Sequence, residues 1–484
     1  MADDLHLGQI IATNNLYKEL IGGKFGIELE AHRVSKTGRL SRIDHSAKLG
    51  SRRMHPYLQT DYSETQAELV TEPVNSFEAA RDRLLQLQWV LRHHMTDDES
   101  IWPLSMPPEL KQDDLQWLDE KFERTWMQDY RNWLMHKYGS THEIMTGLHL
   151  NYSLPQDLLQ HLFKASDAVD FNVFKDQVYF HLGQQIVAHQ WLFNYLFGAT
   201  PFNLNDTDSR TPQFSQPVRS LRTSEYGFVN DHGEKLAYVG DYEKYKQQIE
   251  KLLAEGKLFS EHEIYGPVRF KKIAADNPSV DYLEIRLVDT NPFDIAGISE
   301  NELNLIHLLL IYFVINDEQL RDEVLQGQAE TANEVSLQKP TDALPNKDAV
   351  LVIMQEISRL ADHFGMRFND GLSLITDRVL TPSKTPAAKM LAVAPNAATM
   401  QTWATQLGND RARYFKENEQ VLFADYFGTS PLSDVVKDAL TVGVRVVEYD
   451  GNQIMLSVGD HVERVSEPVN INELFPELAS TNFK

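Results

Sequence analysis

Glu28, Glu30, Glu68, His149, Glu284 and Arg286 stand at alternate positions in four stretches whose intervening residues are mostly aliphatic. Read as a β-strand, Phe25-Gly-Ile-Glu-Leu-Glu-Ala-His-Arg-Val34 turns Ile27 and Leu29 to one face and Glu28 and Glu30 to the other. The stretch from Gln59 to Pro73 places Glu64, Gln66 and Glu68 on one face. Gly147-Leu-His-Leu-Asn-Tyr-Ser-Leu154 places His149, Asn151 and Ser153 together, and Asp281-Tyr-Leu-Glu-Ile-Arg-Leu-Val288 places Glu284 with Arg286. Asp61 lies seven residues before Glu68, an odd spacing, so it reaches that face only through a bulge or a loop.

Carboxylates gathered on one strand face repel one another and raise their own pKa values unless a cation lies against them. The chain has no cysteine, so a metal must be held by oxygen and imidazole. Carboxylates with a single imidazole suit Mg²⁺ or Mn²⁺ better than a structural Zn²⁺. Such ions on an acidic face with arginines nearby are a common way to hold ATP phosphates for phosphoryl transfer. There is no Walker A motif, Gly-rich dinucleotide loop or Gly-x-Ser-x-Gly elbow, so a nucleotide would lie on the sheet itself. His93 and His94 read as surface residues at a helix end, and His181 and His189 as packed or surface residues of an aromatic helix.

The elements that must position these residues follow from periodicity. Residues 5–22 read as a helix ending at Gly22-Gly23, and residues 35–56 as a basic loop that includes Arg52 and Arg53. Residues 76–95 form an amphipathic helix that Ser76 can cap. Trp102-Pro-Leu-Ser-Met-Pro-Pro108 is an extended loop. Residues 113–138 and 167–197 read as helices and residues 220–228 as a polar loop. Residues 300–324 read as a helix, 325–348 as an exposed loop, and 350–427 as mostly helical. A helix over 434–440 precedes a hairpin turning at Asp450-Gly451, and Ser480 begins a polar tail. Strands with one aliphatic and one polar face imply an antiparallel sheet packed by helices on one side and open to a cavity on the other.

The 484 residues carry 46 basic and 70 acidic side chains, a net charge of −24, which disfavours nucleic-acid binding. No apolar run is long enough to span a bilayer, and the acidic N-terminus lacks a signal-peptide pattern. The expected location is the cytoplasm, with no membrane partner.

At these residues the chain resembles the glutamate–cysteine ligase family. The resemblance rests on Gly26-Ile-Glu-Leu-Glu-Ala-His-Arg-Val34, Thr60-Asp-Tyr with Glu68, Trp102-Pro-Leu-Ser-Met-Pro107, Tyr130-Arg131, Tyr138-Gly139, Gly147-Leu-His-Leu-Asn151, Ser220-Leu-Arg222, Glu284-Ile-Arg286 and Asn291-Pro-Phe293, in family order. It implies an α+β fold related to glutamine synthetase, with a curved antiparallel sheet and a metal-lined face. By matching position, Glu28, Glu30, Asp61, Glu68, His149 and Glu284 are expected to bind Mg²⁺. Arg131, Arg222 and Arg286 are expected at phosphate or glutamate. Asn151 is expected to help hold glutamate, and Tyr62 and Tyr130 to line the acceptor pocket. The implied substrates are glutamate, an amine acceptor and ATP.

Asp438 to Asp450, with Asp460-His-Val-Glu463, resembles the segment joining the ligase to an ATP-grasp module in bifunctional glutathione-synthesising enzymes. The expected division is a catalytic domain over 1–430 and a helix-and-hairpin extension over 431–484. With no such module in these 484 residues, only the first step of glutathione synthesis is implied. Two positions depart from the family: Phe228 where tyrosine is frequent, and Glu143 where glutamine is frequent. They raise the alternative of a ligase with another acceptor amine; a non-catalytic binding protein on the same fold is a separate alternative.

Overall fold

The computed structural model describes residues 5–50, 52, 55–205, 211–212, 214–230, 234–318, 320–345, 347–427, 432–449 and 452–479. The Asp450-Gly451 turn, Arg53 and the tail from Ser480 lie outside the described residues.

The fold is α+β. Its sheet contains β1 (Lys24–Ser35), β2 (Leu58–Thr60), β3 (Gln66–Val70), β4 (Glu99–Ile101), β5 (Leu148–Ser153), β6 (Val268–Lys271) and β7 (Tyr282–Val288). The strand order is β2-β3-β1-β5-β7-β6, with β4 paired to the far end of β1. Every pairing is antiparallel and the sheet does not close.

The aliphatic face behaves as its alternation demands. Ile27, Leu29, Leu148, Leu150, Leu283, Ile285 and Leu287 are buried in one cluster with the Phe77–His93 and Glu300–Ile315 helices. Local sequence sets both helix starts. Ser76 accepts the Ala79 amide, and Ser299 and Glu302 form a reciprocal capping box. The same cluster runs on into Leu440, Val446 and Leu456, near the C-terminus. There the Leu432–Val442 helix ends at Gly443, whose φ of +80° suits glycine. A three-stranded sheet follows: β8 (Arg445–Tyr449), β9 (Ile454–Val458) and β10 (His461–Val465). The Val446 amide donates to Tyr57 Oη at 3.0 Å, tying that sheet to the main body.

Several elements differ from the periodicity reading. The segment at 5–22 is a Leu7–Asn14 helix and a Tyr17–Ile21 3-10 turn, parted by Asn15 at φ +55°. The segment at 113–138 breaks between Gln112–Glu120 and Thr125–Met127. There Glu64 accepts the Glu123 amide at 2.7 Å, and Arg124 takes the Thr60 carbonyl. The 167–197 stretch is two helices, Phe171–Ala188 and Gln190–Phe197, meeting at His189, whose ring stacks on Phe313. Residues 325–348 do not form an exposed loop throughout: Asp322–Leu337 is helical. Its buried stripe is Leu325, Ala332, Val335 and Ser336, in which alanine and serine replace large aliphatics, and Asn194 donates to both the Ala332 carbonyl and Ser336 Oγ. Strands β2, β4, β6 and β10 were not anticipated as separate elements, being only three to five residues each.

Candidate active site

Register brings the chemistry together. Glu30 of β1 lies opposite Glu68 of β3, and Glu28 opposite His149 of β5. Asn151 lies opposite Glu284 of β7, which in turn faces Arg269 of β6. The polar residues of five strands thereby share one face. That face floors a cavity of about 320 Å³ lined by Glu28, Glu30, Asp61, Tyr62, Glu68, Tyr130, Arg131, Glu143, His149, Phe228, Glu284 and Arg286. Asp61 arrives through the loop after β2, where its carboxylate accepts from Gln66 Nε2 at 3.2 Å. Glu64 does not join the acidic face; it sits in the turn before β3 and pairs with Arg52.

Two sequence candidates lie behind the lining. Asn151 Nδ2 donates to Glu28 Oε1 at 2.7 Å and so orients that carboxylate. Arg222 is buried, 3.5 Å from Asp289, and donates to the Arg286 and Val288 carbonyls at 3.2 and 3.3 Å. It fits because residue 147 is glycine, where a Cβ would overlap the guanidinium. Gly147→Ala is therefore expected to expel Arg222 and lower turnover by at least about tenfold, the effect of about 1.4 kcal/mol, with the melting midpoint lowered as well. Steady-state kinetics and thermal melts check both. Arg131 lines the cavity, yet its guanidinium already donates to the carbonyls of Tyr62, Leu118 and Asp119 and lies on the Tyr62 ring.

The electrostatics divide the cavity. Burial, then Asp61, pushes the Glu30 carboxyl up to about 8. Burial followed by Asp61, Glu28 and Glu30 raises Glu68 well above the usual carboxylate range. Glu284 is different. Burial works against its charge, but Arg269, Arg286 and Lys271 hold it well below the usual range. Its oxygens lie 2.5 Å from Arg286 Nη1, 3.5 Å from Arg269 Nη1 and 3.3 Å from Lys271 Nζ. Arg124, Arg269 and Lys271 also line the cavity and were missed from sequence. The alternation in Val-Arg-Phe-Lys over β6 was the signal that could have found two of them.

The donor set fits a divalent ion. One ligand atom each from Glu28, His149 and Glu284 come within 4.8 Å of one another. Burial and Arg286 drop the His149 pKa to about 4, leaving the imidazole neutral as a metal ligand must be. Its Nε2 is sealed from solvent with no hydrogen-bond partner.

A pH dependence follows. A carboxyl at about 8 in the folded chain and 4.5 otherwise keeps its proton on folding. Stability is then fullest below pH 4.5 for this group and is lost as pH rises toward 8, by a few kcal/mol. In EDTA the melting midpoint should fall between pH 5 and 8, and Mg²⁺ should raise it more at pH 8 than at pH 6. A midpoint insensitive to both would exclude the charge arrangement.

Comparison with known proteins identifies the family. The glutamate–cysteine ligase family model matches residues 9–259 and 242–335. The glutathione biosynthesis bifunctional protein GshAB of Streptococcus thermophilus is 34% identical over 395 residues, covering 80% of this chain and 51% of that protein. The Pasteurella multocida protein of the same name is 31% identical over 484 residues, covering 95% and 62%. The chain thus spans about half to three-fifths of the length of these curated relatives. The crystal structure of a bifunctional glutathione synthetase from Pasteurella multocida superposes with a TM-score of 0.86 at 28% identity, covering 95% of this chain and 62% of that one. A glutamate–cysteine ligase from Francisella tularensis, in complex with AMP, shares the fold with a TM-score of 0.74 at 23% identity, covering 87% and 92%. The chain belongs to the glutamate–cysteine ligase family, a family of ligase enzymes.

Proposed function

We propose that the chain is an ATP- and Mg²⁺-dependent ligase that joins the γ-carboxylate of L-glutamate to the amine of L-cysteine through γ-glutamyl phosphate. Family membership and one cavity in which Glu28, Glu30, Glu68, His149 and Glu284 meet Arg269, Lys271 and Arg286 support this reading. Residues 1–430 would form the catalytic domain and residues 431–484 an extension of it.

Glu28, Glu30, Asp61, Glu68, His149 and Glu284 would hold Mg²⁺, with Mn²⁺ as a substitute. Bound there, the metal would supply Lewis-acid chemistry that withdraws charge from the γ-phosphoryl group of ATP. Arg286 lines the same cavity as the acidic row, with Arg269 and Lys271, and would stabilise the transferring group. The glutamate side-chain carboxylate attacks the γ-phosphorus in line and the bond to ADP breaks. The acceptor amine, as the free base, then attacks the mixed anhydride and the amide bond forms; phosphate leaves with the electron pair of the broken C–O bond and takes up the proton that the nitrogen loses. Arg131 and Arg222 act by shaping the walls around glutamate and phosphate, and Asn151 by aiming Glu28.

A second reading keeps the chemistry and changes the acceptor. Glu143 is buried in the wall and accepts from Tyr265 Oη at 2.7 Å, and Phe228 stands edge-on to Tyr265 at 5.0 Å. A carboxylate beside an apolar ring suits a cationic amine better than a second carboxylate. ADP release with glutamate plus cysteine, against glutamate plus a panel of amines, separates the readings. No cysteine-dependent turnover would sink the first, and background release with every amine would leave only a non-catalytic binding protein. Glu143→Gln should raise the acceptor KM by about tenfold, as loss of one charged contact does, with the glutamate KM unchanged.

A further inference from the structure

A second pocket, of about 420 Å³, lies between the Phe77–His93 helix, β4 and the Ala397–Glu417 helix. It shares no lining residue with the catalytic cavity. Lys36, Arg92, His93, Arg413 and Lys416 line it, a basic lining in a chain of net charge −24.

Arg92 carries the argument. Its guanidinium lies 4.3 Å from the centre of the Phe415 ring. Nη1 donates within its own helix, to the Gln88 carbonyl at 3.3 Å and to Gln88 Oε1 at 3.1 Å. Nε is shielded from solvent and has no partner. Among the described residues no carboxylate pairs with it. The charge that acts on it is a second cation, Arg411, itself buried and bound to the carbonyls of Pro292 and Asp294. Burial, then Arg411, pulls the Arg92 pKa down to about 9.

The acids in the lining do not relieve this charge. Glu99 is committed to Arg33 at 2.9 Å, Ser41 at 2.6 Å and Thr96 at 3.1 Å. Asp97 is fully exposed, 3.7 Å from Lys416. Arg413 leans on Asp410 at the rim, and Lys36 is exposed. A half-buried guanidinium with a like charge beside it and no counter-ion is costly, and an anion in the pocket would reduce the cost.

We propose that this pocket is a second ligand site, for a small molecule bearing a phosphate group. Lys36, Arg92, Arg413 and Lys416 give the lining an excess of positive charge even with Asp410 beside Arg413 and Asp97 beside Lys416, and that excess suits a phosphate dianion. A guanidinium donates charge-assisted hydrogen bonds to phosphate oxygens. Trp89, Met95 and Phe415 offer an apolar wall for the rest of the molecule. The site is one strand from the catalytic face: β4 pairs with β1 at Arg33, Val34 and Ser35, and β1 runs back to Glu30 and Glu28.

The test uses inorganic phosphate, with acetate at matched ionic strength, in EDTA and without ATP. Thermal midpoints are read against anion concentration for the wild type, Arg92→Met, the double charge reversal Lys36→Glu/Lys416→Glu, and Arg286→Met. Phosphate should stabilise the wild type and Arg286→Met alike, and its apparent affinity should fall at least about tenfold in the other two. The double variant changes only exposed side chains, so it decides the matter if Arg92→Met does not fold. An undiminished phosphate effect in the double variant would overturn the proposal. So would loss of the effect in Arg286→Met alone, which would place phosphate in the catalytic cavity. An equal shift with acetate would overturn the assignment to phosphate.

Discussion

Glu28→Gln should abolish glutamate- and amine-dependent ADP release while leaving circular dichroism and the EDTA melting curve close to wild type. The amide keeps the size of the carboxylate, and its carbonyl oxygen can still accept from Asn151 Nδ2, now 2.7 Å from Glu28 Oε1. What disappears is a charge 3.3 Å from His149 Nδ1, within the set whose ligand atoms gather inside 4.8 Å. Altering outer-shell partners of a metal costs 10–100-fold, so replacing a ligand should cost at least about 100-fold in turnover. Mg²⁺ should also stabilise the variant less than the wild type at pH 8. Near-wild-type turnover would refute the ligand role of Glu28, whatever the fold.

Arg286→Met should lower kcat by about 100- to 1,000-fold, the roughly 2.7–4 kcal/mol carried by a donor aimed at transition-state charge. Burial opposes its charge, but Glu284, Glu30 and Glu28 hold the guanidinium charged. Arg269 and Lys271 still face Glu284 after the substitution, so the carboxylate is not stranded and the sheet should persist. Arg286→Lys separates two roles. If Arg286 served only to neutralise Glu284, lysine would restore most activity. If its fork engages the transferring group, lysine restores little, because an ammonium is a point charge. Recovery of kcat to within about threefold in Arg286→Lys would sink the catalytic assignment.

The polar face of the sheet was legible because strands report themselves with a period of two. Glu28 with Glu30 and Glu284 with Arg286 each needed only alternation to be placed together, and family resemblance supplied the partners from other strands. Asp61 escaped alternation because it sits on a loop, whose path depends on a bond to Gln66 that no local pattern encodes. Arg269 and Lys271 escaped because β6 has only four residues, too short a run for its period to stand out. The Asp322–Leu337 helix escaped because its buried stripe uses Ala332 and Ser336, which hydropathy does not mark. The break at Glu123 is tertiary in origin, since Glu64, 59 residues earlier, takes the amide.

Strand β1 has an implication for how this chain can change. Its odd-numbered residues Ile27 and Leu29 are core, and its even-numbered residues Glu28 and Glu30 line the cavity. It is paired on both edges, with β3 and β5, and again with β4 at its end. A one-residue insertion or deletion at Gly26 would exchange the two sets, driving carboxylates into the helices and aliphatics into the cavity. Fold and chemistry would fail in a single step, leaving no half-active intermediate to select. Variation in length should therefore collect outside this strand, for instance in the 36–57 connection. Substrate preference should drift through walls such as Phe228 and Glu143, which the register of β1 does not control.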